Sequence, residues 1–173
     1  MDNAWTLFLD RDGVLNERIL ADYVRTPAQF RWLPGVLPAL RFLTGRFGLI
    51  VIVTNQQGVG KGLMSEADLD VIHSKLRQQA TYAGAQIDAI YACTKLAVED
   101  PPCRKPRPGM AEQARREFPR IDFARSVMVG DTASDMGFGR SVGMHTVLVG
   151  GAKNVEADER YATLWDYAVS LGA

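Results

Sequence analysis

The chain has 173 residues, 47% of them hydrophobic, which suits one compact domain spanning 1–173 with a real core. Lys+Arg and Asp+Glu are both 20, so no basic surplus recommends nucleic acid as a partner. No apolar run reaches transmembrane length, the N-terminus lacks a signal-peptide pattern, and Cys93 and Cys103 are too few for a disulfide scaffold, so a membrane is not expected and a reducing cytoplasm is the default location.

Leu7 to Leu9 reads as a buried strand that ends in Asp10-Arg11-Asp12-Gly13. Two carboxylates so close repel unless a cation or a shared proton relieves them, and a hard divalent cation such as Mg2+ takes oxygen ligands. The bland alternative is an Asx-type turn at Asp12-Gly13. Residues 17–33 read as a loop, with Tyr23-Val24 near the site. A helical pattern follows from Val36 to Leu43 and stops near Gly45 and Gly48. Leu49 to Val53 is a β-branched apolar run, as in a strand buried on both faces, and it ends in Thr54-Asn55. Alone, Thr54-Asn55 is no more than a turn or helix cap.

Gly58-Val59-Gly60-Lys61-Gly62 does not meet the P-loop spacing and no Ser or Thr follows Lys61, so it is read as flanking a pocket. Ser65 and Asp68 resemble a capping box ahead of a helical stripe at Leu69, Ile72, Leu76 and Ala80. His73, beside that stripe, reads as helix surface or boundary without a partner. Ile87 to Cys93 is a third strand. Arg104-Lys105 follows it, by itself a solvated charge pair. A helix is expected over 107–118 with Pro108 in its first turn. Ser126 to Val129 is a fourth strand, ending in Gly130-Asp131. Thr132 to Val142 is helical and carries Asp135, by itself an exposed helix residue. His145 to Val149 is a fifth strand, and the segment around Trp165 is amphipathic but ambiguous. Strand and helix alternate throughout, so the class is α/β with a mostly parallel central sheet.

Four strand ends thus present polar groups: Asp10 and Asp12; Thr54 and Asn55; Arg104 and Lys105; Asp131 with Asp135. Carboxylates for a metal, a hydroxyl and backbone N–H groups for phosphate oxygens, and a lysine for developing charge form the mixture that phosphoryl transfer needs. In this order the motifs resemble the haloacid dehalogenase (HAD) superfamily of phosphohydrolases, across residues 7 to about 150. FLDRDGVLN, VTNQQGVGKG, CRKPRPGM and MVGDTASDM resemble more narrowly its capless branch of heptose 1,7-bisphosphate and histidinol-phosphate phosphatases.

The resemblance implies a Rossmann-like three-layer sandwich without a large cap domain. It implies Asp10 as nucleophile forming an aspartyl-phosphate, and Asp12 as general acid and then base. It also implies Mg2+ held by Asp10, the Asp12 main-chain carbonyl and Asp131. Thr54 would bind the transferring phosphoryl group, Asn55 would shape its pocket, and Lys105 would stabilise its charge. Arg104 would contact the substrate beyond the phosphorus, and Asp135 would order Lys105 or a metal-bound water. Many members carry a structural zinc loop. Here Cys93 and Cys103 match two of its positions while Lys95 and Pro101 replace the other two, so zinc is not expected.

The expected substrate is a small phosphorylated metabolite, heptose 1,7-bisphosphate first and histidinol phosphate or another sugar phosphate second. Specificity would come from loops 17–27, 56–64 and 93–104 of a monomer. A receiver-like signalling module would need its aspartate near the third strand, which ends instead in Ala92-Cys93. A dehalogenase would lack Asp12.

Overall fold

The computed structural model describes residues 2–173. Six strands, β1 (Thr6–Leu9), β2 (Leu49–Asn55), β3 (Ala89–Cys93), β4 (Ser126–Gly130), β5 (His145–Val149) and β6 (Glu159–Tyr161), form one sheet in the order β3-β2-β1-β4-β5-β6. Every pairing is parallel. The helices are α1 (Val36–Thr44), α2 (Glu66–Tyr82), α3 (Gly109–Glu117), α4 (Ala133–Ser141) and α5 (Leu164–Ser170).

Alternation along the strands divides the core. Leu7 and Leu9 of β1, Ile50 and Ile52 of β2, and Val127 and Val129 of β4 face a cluster shared with α1, α5 and the end of α2. Phe8, Val51, Val53 and Met128 face the opposite way, onto Met110, Ala111 and Ala114 of α3 and Phe138 of α4. The result is a helix–sheet–helix sandwich. The connections 10–35 and 56–65 are loops, and neither forms a lid domain. A third cluster, Val24, Met64, Leu69 and Ile72, fastens these two loops to the start of α2.

Chain order reverses between β1 and β4: β2 lies on one side of β1 and β4 on the other. Open parallel sheets bind ligands beyond the carboxyl ends of strands at such a reversal, because the flanking loops splay apart there.

The expected elements are present, with three differences. α3 begins at Gly109, with Pro108 as its cap, rather than at Arg107. A residue before proline is pushed out of the helical region, and Arg107 precedes Pro108. The ambiguous C-terminal segment is α5, whose Tyr167 is buried against the core. β6 was not expected; it is three residues long and pairs along the edge of β5. The Ser65–Asp68 capping box is formed, each side chain bonding the other residue's main-chain N–H.

Candidate active site

β1 delivers Asp10 at its carboxyl end, and the next eight residues wrap back over it. Arg11 is fully buried. Its Nη2 donates to both carboxylate oxygens of Asp12, at 3.1 and 3.0 Å, and its Nη1 lies 3.0 Å from His73 Nε2. His73 therefore has a partner, contrary to the sequence reading. Burial, with the positive charge of Arg11, lowers its pKa to about 3, so the ring is neutral and accepts from the guanidinium. A buried arginine is tolerable only when its donors are used. Asp12 receives two further bonds, from Asn16 Nδ2 at 2.8 Å and Gln56 Nε2 at 2.7 Å. Burial pushes the Asp12 pKa up, but the Arg11 charge and these donors outweigh it and hold the carboxyl below its usual range.

Lys105 is buried beside Asp10. Its ammonium donates to Asp10 Oδ1 (2.7 Å), Asp135 Oδ1 (2.7 Å) and the Val53 carbonyl (2.8 Å), using all three hydrogens. Burial lowers the Lys105 pKa, but the two carboxylates more than reverse that. Burial and the neighbouring Asp135 charge raise Asp10, with Lys105 opposing; burial also pushes Asp135 up, but Lys105 and the Thr132 donors bring it below normal. The other Asp135 oxygen caps α4, accepting from the main-chain N–H of Asp131 (3.2 Å) and Thr132 (3.0 Å) and from Thr132 Oγ1 (2.5 Å).

β2 delivers Thr54 and Asn55. Thr54 Oγ1 accepts from Gln56 Nε2 at 2.8 Å, which leaves its own proton free to donate. Asn55 pairs with the Lys105 backbone: its Oδ1 accepts from Lys105 N–H (3.0 Å) and its Nδ2 donates to Lys105 C=O (3.2 Å). Asn55 thus anchors the segment that carries Lys105 as well as bordering the pocket. Cys93 and Cys103 are joined in a disulfide, Cα–Cα 5.3 Å, across the ends of the loop leading to Arg104. The sequence reading gave the two no joint role.

Asp10, Thr54, Asn55, Arg104, Lys105 and Asp135 line one cavity of about 460 Å³ with Asp12, Thr132 and Ser134. Loops 17–27 and 56–64 add Arg18, Tyr23, Val24 and Lys61 to its wall, and Lys61 Nζ lies 5.3 Å from the centroid of the Tyr23 ring. Among the described residues, Arg104 Nη1 and Ser134 Oγ are buried without a hydrogen-bond partner. Unpaired buried donors bordering a cavity suit an anionic guest.

Asp10, Asp131 and Asp135 each offer an oxygen within 4.8 Å of the others, a set fit for a hard divalent cation. A Cβ on Gly13 (φ 93°) would stand 2.1 Å from Asp131 Oδ2, so only glycine lets that carboxylate lie against the loop after β1. Lys105 carries one positive charge against the two negative charges of Asp10 and Asp135, and Asp131 beside them accepts from Arg18 Nη2 at 2.9 Å. Burial raises its pKa to about 6, with the Arg18 charge opposing. Sequence reasoning missed Arg11, Gln56 and Arg18. Gln56 lies two residues past Thr54 at a strand end, the one signal that could have marked it.

The HAD-hydrolase-like family model matches residues 102–170. Over 98% of this chain and 93% of its own length, a D-glycero-alpha-D-manno-heptose-1,7-bisphosphate 7-phosphatase of Mycobacterium bovis is 42% identical. A D-glycero-beta-D-manno-heptose-1,7-bisphosphate 7-phosphatase of Rhodopseudomonas palustris is 35% identical over 79% of this chain and 78% of its own. Among solved structures, the D,D-heptose 1,7-bisphosphate phosphatase of B. bronchiseptica, complexed with magnesium and phosphate, superposes with a TM-score of 0.86 at 31% identity, covering 96% of this chain and 97% of that one.

Proposed function

The chain belongs to the D-glycero-D-manno-heptose-1,7-bisphosphate 7-phosphatases of the HAD hydrolases, and from that premise we propose that it removes the 7-phosphate of a D-glycero-D-manno-heptose 1,7-bisphosphate in a Mg2+-dependent reaction. One observation carries the reading: acids, a hydroxyl and a lysine from the ends of β1 and β2, the loop after β3 and the first turn of α4 meet at one cavity. Another sugar phosphate, or histidinol phosphate, is the second choice of substrate.

Asp10 attacks phosphorus, the bond to the C7 oxygen breaks, and an aspartyl-phosphate forms on Asp10. Asp12 gives the departing alkoxide its proton. It then takes a proton from the water that attacks the phosphoryl group, which restores Asp10 and releases phosphate. Asp12 is ionised at rest, because Arg11 holds it so. The approach of the substrate's own negative charge raises its proton affinity, and Asp12 takes up a proton from solvent as substrate binds, the proton it then gives to the alkoxide. Thr54 Oγ1 donates to a phosphoryl oxygen. Lys105 neutralises charge there, and Asn55 sets its position. Asp10, the Asp12 carbonyl and Asp131 would hold Mg2+, which would supply positive charge toward the phosphoryl oxygens. Asp135 orders Lys105.

Arg104, with unused donors at the pocket wall, meets the remote phosphate or the sugar hydroxyls. The chain works as one domain, a cytoplasmic monomer with no nucleic-acid or membrane partner. No helix among the described residues is long and apolar enough to cross a membrane.

The test is phosphate release with Mg2+ from both anomers of the heptose bisphosphate, histidinol phosphate and a panel of hexose phosphates. The expected outcome is the highest kcat/KM on a heptose bisphosphate, with 7-phosphate lost first. Preference for histidinol phosphate, or no hydrolysis of either anomer, would overturn the assignment.

A further inference from the structure

Arg18 stands in the loop after β1 and has no counterpart among the groups given roles above. Its Nη2 donates at once to the Asp12 main-chain carbonyl (3.0 Å) and to Asp131 Oδ1 (2.9 Å). These acceptors come from two different strand ends, and one cationic nitrogen holds them together. A carbonyl oxygen and a carboxylate oxygen converging on one positive centre are also the donors a hard divalent cation takes. The other two acids of the cluster already have a cation, since Lys105 bonds both Asp10 and Asp135. Asp131 has only Arg18 as an ion-pair partner among the described residues.

We infer that Arg18 is an exchangeable counter-ion of the metal site: its guanidinium holds the Asp12 carbonyl and Asp131 before the metal arrives and must give up both when Mg2+ binds. This rests on the proposed assignment of Mg2+ to Asp10, the Asp12 carbonyl and Asp131. The exchange is physically open. The Arg18 side chain is 43% exposed and borders the cavity, so it can swing into solvent without disturbing the core. Lys105, 2% exposed and bonded on all sides, cannot. Arg18 is thus a positioning residue: it keeps mutually repelling oxygens gathered while uncharged by metal, at the cost of competing with the ion.

The test is Mg2+ affinity of the substrate-free enzyme by calorimetry at pH 8, with Mn2+ electron resonance as a second probe. Arg18→Ala is expected to bind either ion about fivefold more tightly, the scale of one partly exposed ion pair. Arg18→Lys, which keeps a cation on a flexible stem, should recover part of the wild-type weakness. Lys61→Ala removes a positive charge from the same cavity without touching either oxygen, and its gain should be less than half as large. Unchanged or weaker binding in Arg18→Ala overturns the inference, as does an equal gain in Lys61→Ala, which would mean a general field. Asp131→Asn separates the premise from the inference: near-complete loss of binding upholds the metal assignment whatever Arg18 does. Wild-type binding in Asp131→Asn overturns the assignment and the exchange together.

Discussion

Two ion-pair groups meet around Asp10, the proposed nucleophile, and they are built on opposite plans. The Lys105–Asp10–Asp135 triad is sealed, with every side chain at most 8% exposed, and each proton of the ammonium has its own acceptor. The Arg18–Asp131 pair is open, with 43% and 18% of the side chains exposed. A charge in the sealed triad has little water to fall back on, so removing one partner strands the others. In the open pair water substitutes readily, and the pair has little worth of its own. The sealed charges therefore set geometry and the open ones can be exchanged.

The sharpest way to probe the triad is to change its chemistry while keeping its shape. Asp10→Asn keeps an oxygen for Lys105 to bond but makes a poor nucleophile. Turnover should vanish at every substrate while the circular-dichroism spectrum and cooperative melting persist. Substantial Mg2+-dependent activity in the variant would remove Asp10 from the nucleophile's place.

Lys105→Met should damage both function and stability. It leaves two buried carboxylates unpaired, for which a loss of about 3–5 kcal/mol is expected. Activity should fall alike for sugar and aryl phosphates if, as proposed, the lysine acts on the transferring group. Arg18→Ala should cost less than about 1 kcal/mol of stability, as exposed pairs do. Equal destabilisation of the two variants by denaturant titration would erase the distinction between sealed and open pairs.

Asp12 lies between these extremes. Arg11, Asn16 and Gln56 hold it from three sides, yet one face borders the cavity. Asp12→Ala should impair alkyl phosphates by about 10²–10⁴-fold, the usual worth of a general acid. An aryl phosphate, whose phenoxide leaves unaided, should still phosphorylate Asp10 and release a burst of phenol matching the enzyme. Equal losses on both substrate types without a burst would leave Asp12 no role beyond positioning.

The smallest effect is in pH. On the proposed ligand set, metal binding requires Asp131 as carboxylate, and its pKa is raised to about 6. Above both that value and the Asp10 value of about 7, Mg2+ affinity should be flat. Below them protons compete, and affinity should drop by up to about tenfold per pH unit if one proton is displaced. Asp10 is also raised, so a slope nearer two would show the sealed triad titrating with the open pair. Calorimetric titration between pH 5 and 8 reads the slope directly. An affinity indifferent to pH across that range would remove Asp131 from the metal's donors.

Much of this was legible in the chain before any coordinates. The helix over Val36–Thr44, the capping box at Ser65 and the apolar run of β2 are local patterns, carried by side chains a few residues apart. β6 was not legible, because Glu159-Arg160-Tyr161 has no alternation of its own and owes its extended form to the free edge of β5. His73 read as helix surface for a similar reason. Nothing near it in sequence announces an arginine 62 residues away that is buried and short of an acceptor.

By itself the sequence determined which polar residues end the strands, because a buried strand must surface where its apolar run stops, and Asp10, Thr54 and Asp131 stand at those stops. It also determined the α/β class, through short apolar runs alternating along the chain with stripes at helical spacing. The tertiary structure alone decided which charge faces which. Lys105 lies 95 residues from Asp10 and Arg18 lies 113 from Asp131, and loop paths rather than local propensity brought them together. It also decided that the first pair is sealed and the second open. Burial is a property of the whole packed surface, and a sequence window carries no measure of how much water remains around a charge.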